Sequence, residues 1–314
     1  MTQQKGVTSQ LLIGIESAYK TEATAGFVMP FNSSGLAPGQ TLSQAATITG
    51  TRNPVQPFAG NRDVAGPIVV PADSIAMWYW LQAMFGDPVT TGSDPYEHEF
   101  KIGDSMPSLT IEHQFTDLGT DAYVRFLGCK IGSMNMTFGG DGELVVTLNV
   151  VGASESNETS SFDGSPTTVS LGRVQNFQAA LTEGGGSLSN ATELALNIDF
   201  GLDTDNYVIG GSGVRGSLPE GIVGVSGSLK TLFEDVTLLN KAINSTETSL
   251  KVTVTSSASS ILEFEIQELQ YERSTPPIEG PQGLMATLNF QGYYDNGSEA
   301  SAIVARVTNS EAHA

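Results

Sequence analysis

The sequence predicts a mainly β protein built from one module used twice, with an α-helix in each copy. Three observations lead there. Residues 143–152 (ELVVTLNVVG) return as residues 283–292 (GLMATLNFQG), a register of 140 (283 − 143), with Leu144, Thr147, Leu148, Asn149 and Gly152 matched by Leu284, Thr287, Leu288, Asn289 and Gly292. Both copies alternate: Leu144, Val146, Leu148 and Val150 point one way while Thr147 and Asn149 point the other. That period of two marks a strand with one face in a core. Finally, the elements ahead of each copy come in one order, strand, helix, strand, strand, strand, which fits tandem duplication of a domain-sized unit. The competing reading is two unrelated β domains whose order coincides.

Taken along the chain, a polar leader (residues 1–9) precedes a strand at residues 10–16 (QLLIGIE). Residues 27–63 are mostly Ser, Thr, Gly, Pro, Gln and Asn and predict a long irregular loop or hairpin. A loop of that length is expected to lie on a partner, with Leu36, Gln40, Thr41, Gln44, Thr47, Thr49 and Thr51 as contact candidates. An apolar segment at 65–71 leads into a helix over 73–85, capped by Asp73, with Ile75, Trp78, Leu81, Met84 and Phe85 as its core-facing stripe. Strands follow at 108–115 and 123–131, then a Gly-rich hairpin turn at 139–142 opens the repeated strand.

Residues 153–166 (ASESNETSSFDGSP) are acidic, polar and punctuated by Gly and Pro, so they predict a linker or exposed loop. The expected division is therefore a first module over 1–155, a linker at 156–166 and a second module over 167–314. In the second module, strands are expected at 174–181, 193–200 and 221–227, a helix at 228–243, strands at 249–255 and 260–269, then the repeated strand. A last alternation at 302–307 precedes the tail.

The chain carries 34 acidic against 14 basic residues, a net charge of −20. Such a balance disfavours specific binding of nucleic acid or anionic membranes, which requires clustered Lys and Arg. Hydrophobic content of 39% with 35 Gly and 14 Pro suits a soluble, loop-rich β protein. A single cysteine, Cys129, excludes an intrachain disulfide framework and a thiolate zinc cluster. The apolar run at 11–15 is too short for a signal peptide, and no run approaches the ~20 residues needed to cross a bilayer. Synthesis in a host cytoplasm is expected.

Signals for chemistry are weak. His98, His113 and His313 are scattered in sequence, so a metal site would need all three to converge. There is no GxSxG elbow, and GGSGVRG at 210–216 lacks the Lys-Ser/Thr of a phosphate loop. Glu263 and Glu265 share one strand face with Gln267, opposite Leu262, Phe264 and Ile266. That arrangement reads as a solvated sheet face more readily than as a glycosidase pair. No cofactor, metal or enzymatic activity is expected.

Beyond these local patterns, the chain resembles the major tail tube proteins of bacteriophages with long, non-contractile tails. The resemblance rests on residues 11–25 (LLIGIESAYKTEATA), the basic, Gly-bearing stretch 52–66 and the helix before Gly86. It continues through PSLTIEH at 107–113, GCKIGSMNMTF at 128–138 and GELVVTLNVVGAS at 142–154. It implies a β-sandwich or split barrel with a flanking α-helix, whose inner sheets join between subunits into a tube. Rings of six modules stack through long loops, and the bore is typically acidic. A duplicated chain would form a ring from three copies, alternatively six. The implied partners are further copies of itself, the tape-measure protein, tail-tip and terminator proteins, and double-stranded DNA passing without specific binding; no membrane is involved. An acidic two-domain β-sandwich adhesin or virion decoration protein is the competing class.

Alternation supplies candidates for the bore. Thr110, Glu112, Gln114, Thr147 and Asn149 in the first module, and Glu263, Glu265, Gln267, Thr287, Asn289 and Gln291 in the second, alternate with apolar neighbours and are expected to face away from the core.

Overall fold

Alternating burial sets the strands of the computed structural model, which describes residues 3–118, 120–278 and 280–313. In chain order they are β1 (Gln10–Ile15), β2 (Phe27–Met29), β3 (Ser33–Ser34), β4 (Ala37–Ser43), β5 (Phe58–Pro71), β6 (Val89–Gly92) and β7 (Tyr96–Lys101). Next come β8 (Leu109–Phe115), β9 (Ala122–Phe138), β10 (Val145–Gly152), β11 (Ser154–Glu158) and β12 (Thr167–Thr168). The rest are β13 (Ala179–Glu183), β14 (Gly186–Ser187), β15 (Ala191–Asp199), β16 (Gly224–Leu232), β17 (Thr248–Ser257), β18 (Ser260–Tyr271), β19 (Met285–Tyr293) and β20 (Val304–Asn309). Helix α1 (Ala76–Phe85) follows β5 and α2 (Thr237–Ile243) follows β16.

One set of seven antiparallel pairings occurs twice. In the first half these are β4–β5, β5–β10, β10–β9, β9–β8, β8–β1, β1–β2 and β9–β11. In the second they are β15–β16, β16–β19, β19–β18, β18–β17, β17–β13, β13–β14 and β18–β20. The registers agree as well: Val151 faces Ala65, and Gln291 faces Ser226. The glycines agree for a steric reason. A Cβ on Gly66 would lie 2.1 Å from the Gly35 carbonyl oxygen, and one on Gly227 would lie 2.1 Å from that of Ala195. Only glycine permits so close an approach between neighbouring strands.

β9 holds the two halves together. Its first part pairs with β8 and β11; a register shift opposite Asn149/Val150 then carries it into a second sheet, between β10 and β15. Such a shift bends a strand and re-aims it. The seam with β15 runs from Leu194 opposite Phe138 to Asp199 opposite Ser133. The result is one continuous sheet, β4–β5–β10–β9–β15–β16–β19–β18, crossing both halves. The opposing layer comprises β2–β1–β8–β9–β11 in the first half and β13–β17–β18–β20–β7–β6 in the second. β7 belongs to the first half by sequence yet pairs with β20 of the second, so the halves interlock.

Both layers turn their apolar sides to one cluster. Leu11, Ile13, Ile111 and Phe126 meet Val64, Val146 and Leu148, and the same cluster takes in Leu250, Phe264, Leu288 and Phe290. Phe138 contacts Phe264 with ring centroids 6.3 Å apart, across the junction of the halves. Removing this apolar surface from water is the dominant favourable term in the fold.

Three sequence expectations are corrected, and one open alternative is resolved. Helix α1 is buried on nearly all sides instead of along one stripe, because β7 and the C-terminal residues cover its outer side; Trp78 stacks on His313 at 4.3 Å. The helix expected over 228–243 is replaced by β16, which continues to Leu232, and by a short α2. Ladders on both edges of β16, with Val225, Leu229 and Thr231 buried, override the local helical spacing. Residues 153–166 are no free linker: Ser154–Glu158 is β11, and the residues after it pack across the sheet. For residues 27–63, expected as a loop or a hairpin, the structure shows the hairpin: β4 pairs with β5, whose first residues also fall in this span, and the connection 44–57 carries no strand.

Candidate functional site

The continuous sheet presents one polar side. β10 and β19 bury Val146, Leu148, Leu288 and Phe290 and turn Thr147, Asn149, Thr287, Asn289 and Gln291 outward. Beside them stand Ser133, Asn135 and Thr137 of β9, Asn197 of β15, and Ser226 and Ser228 of β16. Short amides and hydroxyls tie the strands together: Asn149 Nδ2 donates to Ser133 Oγ at 2.8 Å, and Asn197 Nδ2 to Ser226 Oγ at 3.3 Å. Asn289 Nδ2 donates to Glu272 Oε2 at 2.9 Å. Charge is sparse on this face. Glu193 sits opposite Lys230, and Asp199 lies at the end of its strand. A chain of net charge −20 thus keeps most of its carboxylates off this surface. Such a face offers water many partners and a phosphate few cations.

Three candidates lie elsewhere than expected. Thr110, Glu112 and Gln114 are 0%, 0% and 5% exposed, sealed under residues 160–163. Glu112 accepts hydrogen bonds from Arg125 Nε (2.9 Å), Gln114 Nε2 (2.9 Å), Ser161 Oγ (2.8 Å) and the Phe162 N–H (3.2 Å). Arg125 also reaches Glu22 and donates to the Ser160 carbonyl at 2.8 Å. Glu16 is likewise buried and accepts from Ser108 Oγ at 2.6 Å and from the Gly128 and Lys20 N–H groups at 2.8 Å. A buried charge is tolerated only when paired and hydrogen-bonded, and Glu112 is both. Alternation gave the side of the strand but not its covering strap. Arg125 stands out in the sequence only as a rare basic residue on a polar strand face, and Glu16, which completes this layer with it, is not among the candidates that alternation supplies.

Glu263, Glu265 and Gln267 occupy a third location. Arg306 gathers the carboxylates: Nε donates to Glu99 at 2.9 Å, while Nη1 reaches Glu263 at 3.0 Å and Glu265 at 2.5 Å. Gln267 Oε1 accepts from the Glu299 N–H at 3.2 Å. Leu262, Phe264 and Ile266, between them in sequence, point into the cluster that also takes Leu288 and Phe290. The polar side of this layer therefore faces the opposite way from Thr287, Asn289 and Gln291.

Of the loop candidates, Leu36 is 4% exposed and packed in the core. Gln40, Thr41, Gln44, Thr47, Thr49 and Thr51 are exposed on the hairpin or its connection, with Gln40 Nε2 donating to the Gly60 carbonyl at 2.8 Å. The same hairpin exposes Leu42, Ile48 and Phe58, and residues 23–62 contain no Asp or Glu.

His98 and His313, distant in sequence, meet with ring centroids 5.2 Å apart. Both His98 nitrogens are engaged, Nδ1 with Thr90 Oγ1 at 2.8 Å and Nε2 with the Glu311 carbonyl at 3.0 Å. Among the described residues no group of three or more His, Cys, Asp or Glu could hold a metal ion. Cys129 is fully buried, and burial pushes its thiol pKa up, away from the reactive thiolate. No helix among the described residues is long and apolar enough to cross a membrane.

No curated protein matches the chain. A family model described as phage tail tube protein matches residues 6–292, which spans both halves and the seam between them. That family is structural and not enzymatic, and it places its members in the tube of a phage tail. The chain belongs to the phage tail tube protein family.

Proposed function

We propose that the protein is the major tube subunit of a long, non-contractile phage tail, polymerising as stacked rings through which the genome leaves. The observation that carries this reading is the continuous eight-strand sheet, whose outer side is mostly amides and hydroxyls with few charges. Curved into a ring, that side forms the wall of a bore, and Thr147, Asn149, Thr287, Asn289 and Gln291 line it. The wall carries few charges, with Glu193, Asp199 and Glu272 against Lys230. Amides and hydroxyls give DNA phosphates no ion pairs, so the duplex passes without sticking, and the few facing carboxylates add repulsion that also opposes binding. Thr110, Glu112 and Gln114 hold the first half together, while Glu263, Glu265 and Gln267 face the outside of the ring.

Three copies supply six modules and close the ring. The acid-free hairpin then reaches the next ring, where an acidic neighbour surface meets Arg52 and Arg62. The tape-measure protein sets the stack, with tail-tip and terminator proteins at its ends. Negative-stain microscopy of the purified chain tests the assignment. Stacked rings or tubes are expected; a chain that stays monomeric at high concentration overturns the reading and favours an adhesin or decoration protein.

A further inference from the structure

We infer that neighbouring copies join β3–β4 of one chain to residues 272–277 of the next, in the register that β15 keeps with β9 inside the chain. This rests on the ring reading above and names the two edges that close it.

The second part of β9 has a partner on each edge, β10 on one and β15 on the other. Its counterpart in the second half is the end of β18 and the residues after it. Ser133 faces Asn149; Glu272 bonds Asn289 in the same manner, its N–H donating to the Asn289 carbonyl at 2.8 Å. Extended past Glu272, that register puts residues 272–277 where 133–138 stand, although beyond the Glu272 bond they form no ladder with β19 in the single chain. Among the described residues they have no ladder partner on the far edge.

The missing strand is present at the other end of the chain. β15 runs between β16 and β9, whereas its counterpart, β3–β4, pairs with β5 alone. Ser34 faces Ile68 and Ala37 faces Ala65, as Leu194 faces Leu229 and Asn197 faces Ser226. Each chain thus offers one open edge of each kind, and the two kinds already meet once inside it. Repeating that meeting between copies is a head-to-tail contact, which closes into a ring if the rotation allows. It also removes two exposed edges that would otherwise template aggregation.

The internal register transfers residue by residue. Asn197 faces Asn135 and Asp199 faces Ser133, so Ala37 of one copy falls opposite Ser274 of the next, and Gly39 opposite Glu272. The backbone directions are compatible. The Gly35 N–H donates to the Pro67 carbonyl at 2.7 Å, toward β5, so alternation turns Leu36 and Pro38 to the open edge. They meet Thr275 and Arg273, both of which carry an N–H. Pro277 ends the pairing early, and prolines on an open edge protect the unassembled chain from promiscuous pairing.

Cysteine pairs test the register in the full chain, with buried Cys129 as a silent background. Ala37→Cys with Ser274→Cys should give, on oxidation of assembled material, covalent dimers and trimers on a non-reducing gel. Ala37→Cys with Pro276→Cys moves one partner by two residues, about 7 Å, beyond comfortable disulfide reach, and should cross-link far less. Rings that form but cross-link only in the shifted pair, or in neither, overturn this seam and leave the tube assignment standing. A wild-type chain that forms no rings sinks both. Thr275→Pro, which removes one N–H from an exposed position, gives an independent check. It should leave a folded chain, by circular dichroism, that no longer assembles; tubes formed as readily as wild type overturn the seam.

Discussion

The two halves share seven strand pairings and differ on their outsides. In the first half the cross-strand pair Glu112–Arg125 lies sealed beneath residues 160–163, with Arg125 6% exposed. At the equivalent position of the second half stands Lys251 opposite Glu265, the charges exchanged, with side chains 37% and 21% exposed. Opposite charges across the strands are retained although the residues are not. The comparison separates two kinds of constraint. The pairing pattern serves every strand at once and is kept; the outer face is free to become an interior in one half and a surface in the other.

The largest expected effect follows from that burial. Arg125→Met leaves Glu112 without its cation in a site closed to water, which costs about 3–5 kcal/mol. Arg306→Met in the second half strands Glu99, Glu263 and Glu265, but these reach solvent, and the loss should be about 1 kcal/mol. Denaturant midpoints of the unassembled chains measure both. Equal losses would mean that the covering strap does not seal the first half.

Next comes a pair expected to behave alike. Gly66→Ala and Gly227→Ala each force a methyl group to within 2.1 Å of a carbonyl oxygen on the neighbouring strand. Crowding of this kind costs about 3 kcal/mol at its upper range. Similar losses in the two variants support one scaffold used twice; a loss at one position alone breaks the equivalence.

The helix starts differ again. Asp73, buried, accepts the Ile75 and Ala76 N–H groups at 2.6 and 2.5 Å, yet burial outweighs these bonds and pushes its pKa up from 3.8 to about 6. The folded chain then binds this proton more tightly than the unfolded one. Stability from Asp73 is fully present below pH 3.8 and is lost as pH rises to about 6, on the order of 2 kcal/mol. Asp235, exposed before α2, accepts the Thr237 N–H, and its pKa is lowered, so its contribution acts in the opposite sense and is lost as pH falls. Asp73→Asn keeps an acceptor for the cap and should flatten stability between pH 4 and 6. An unchanged slope would place the titration elsewhere.

How much of this was legible depends on whether the cause is local. The repeated strand, the turn at 139–142 and the Asp73 cap are local, and each is where the residues predicted. Gly66 and Gly227 answer to a neighbouring strand, so their shared role emerges only once that strand is placed. The helix over 228–243 failed because two ladders outweigh spacing. Thr147, Asn149, Thr287, Asn289 and Gln291 fell on one face because alternation decides the side of a strand. Glu112 and Glu263 share that alternation, but the strap over one and Arg306 beside the other come from segments remote in sequence. Alternation is silent about which sheet a strand joins and what lies on top of it.

The smallest effect on folding is expected where the effect on function is most specific, and it sets the two polar outsides against each other. Thr287 and Gln291 are exposed on β19, and neither side chain is among the hydrogen-bonded groups described above. Replacing both with Lys should change stability within ~0.5 kcal/mol. In the proposed tube it places a cationic band around the DNA path in every ring, and phosphate contacts summed over many rings should slow genome release, most at low salt where screening is weakest. Glu263→Lys with Glu265→Lys crowds like charges around Arg306 on the other layer. That double variant should fold less stably and, if its tails assemble, release DNA at the wild-type rate. Release timed on virions of both kinds at low and high salt decides the matter. Slowing by the Glu263/Glu265 variant alone would mean that the inner and outer layers have been assigned the wrong way round.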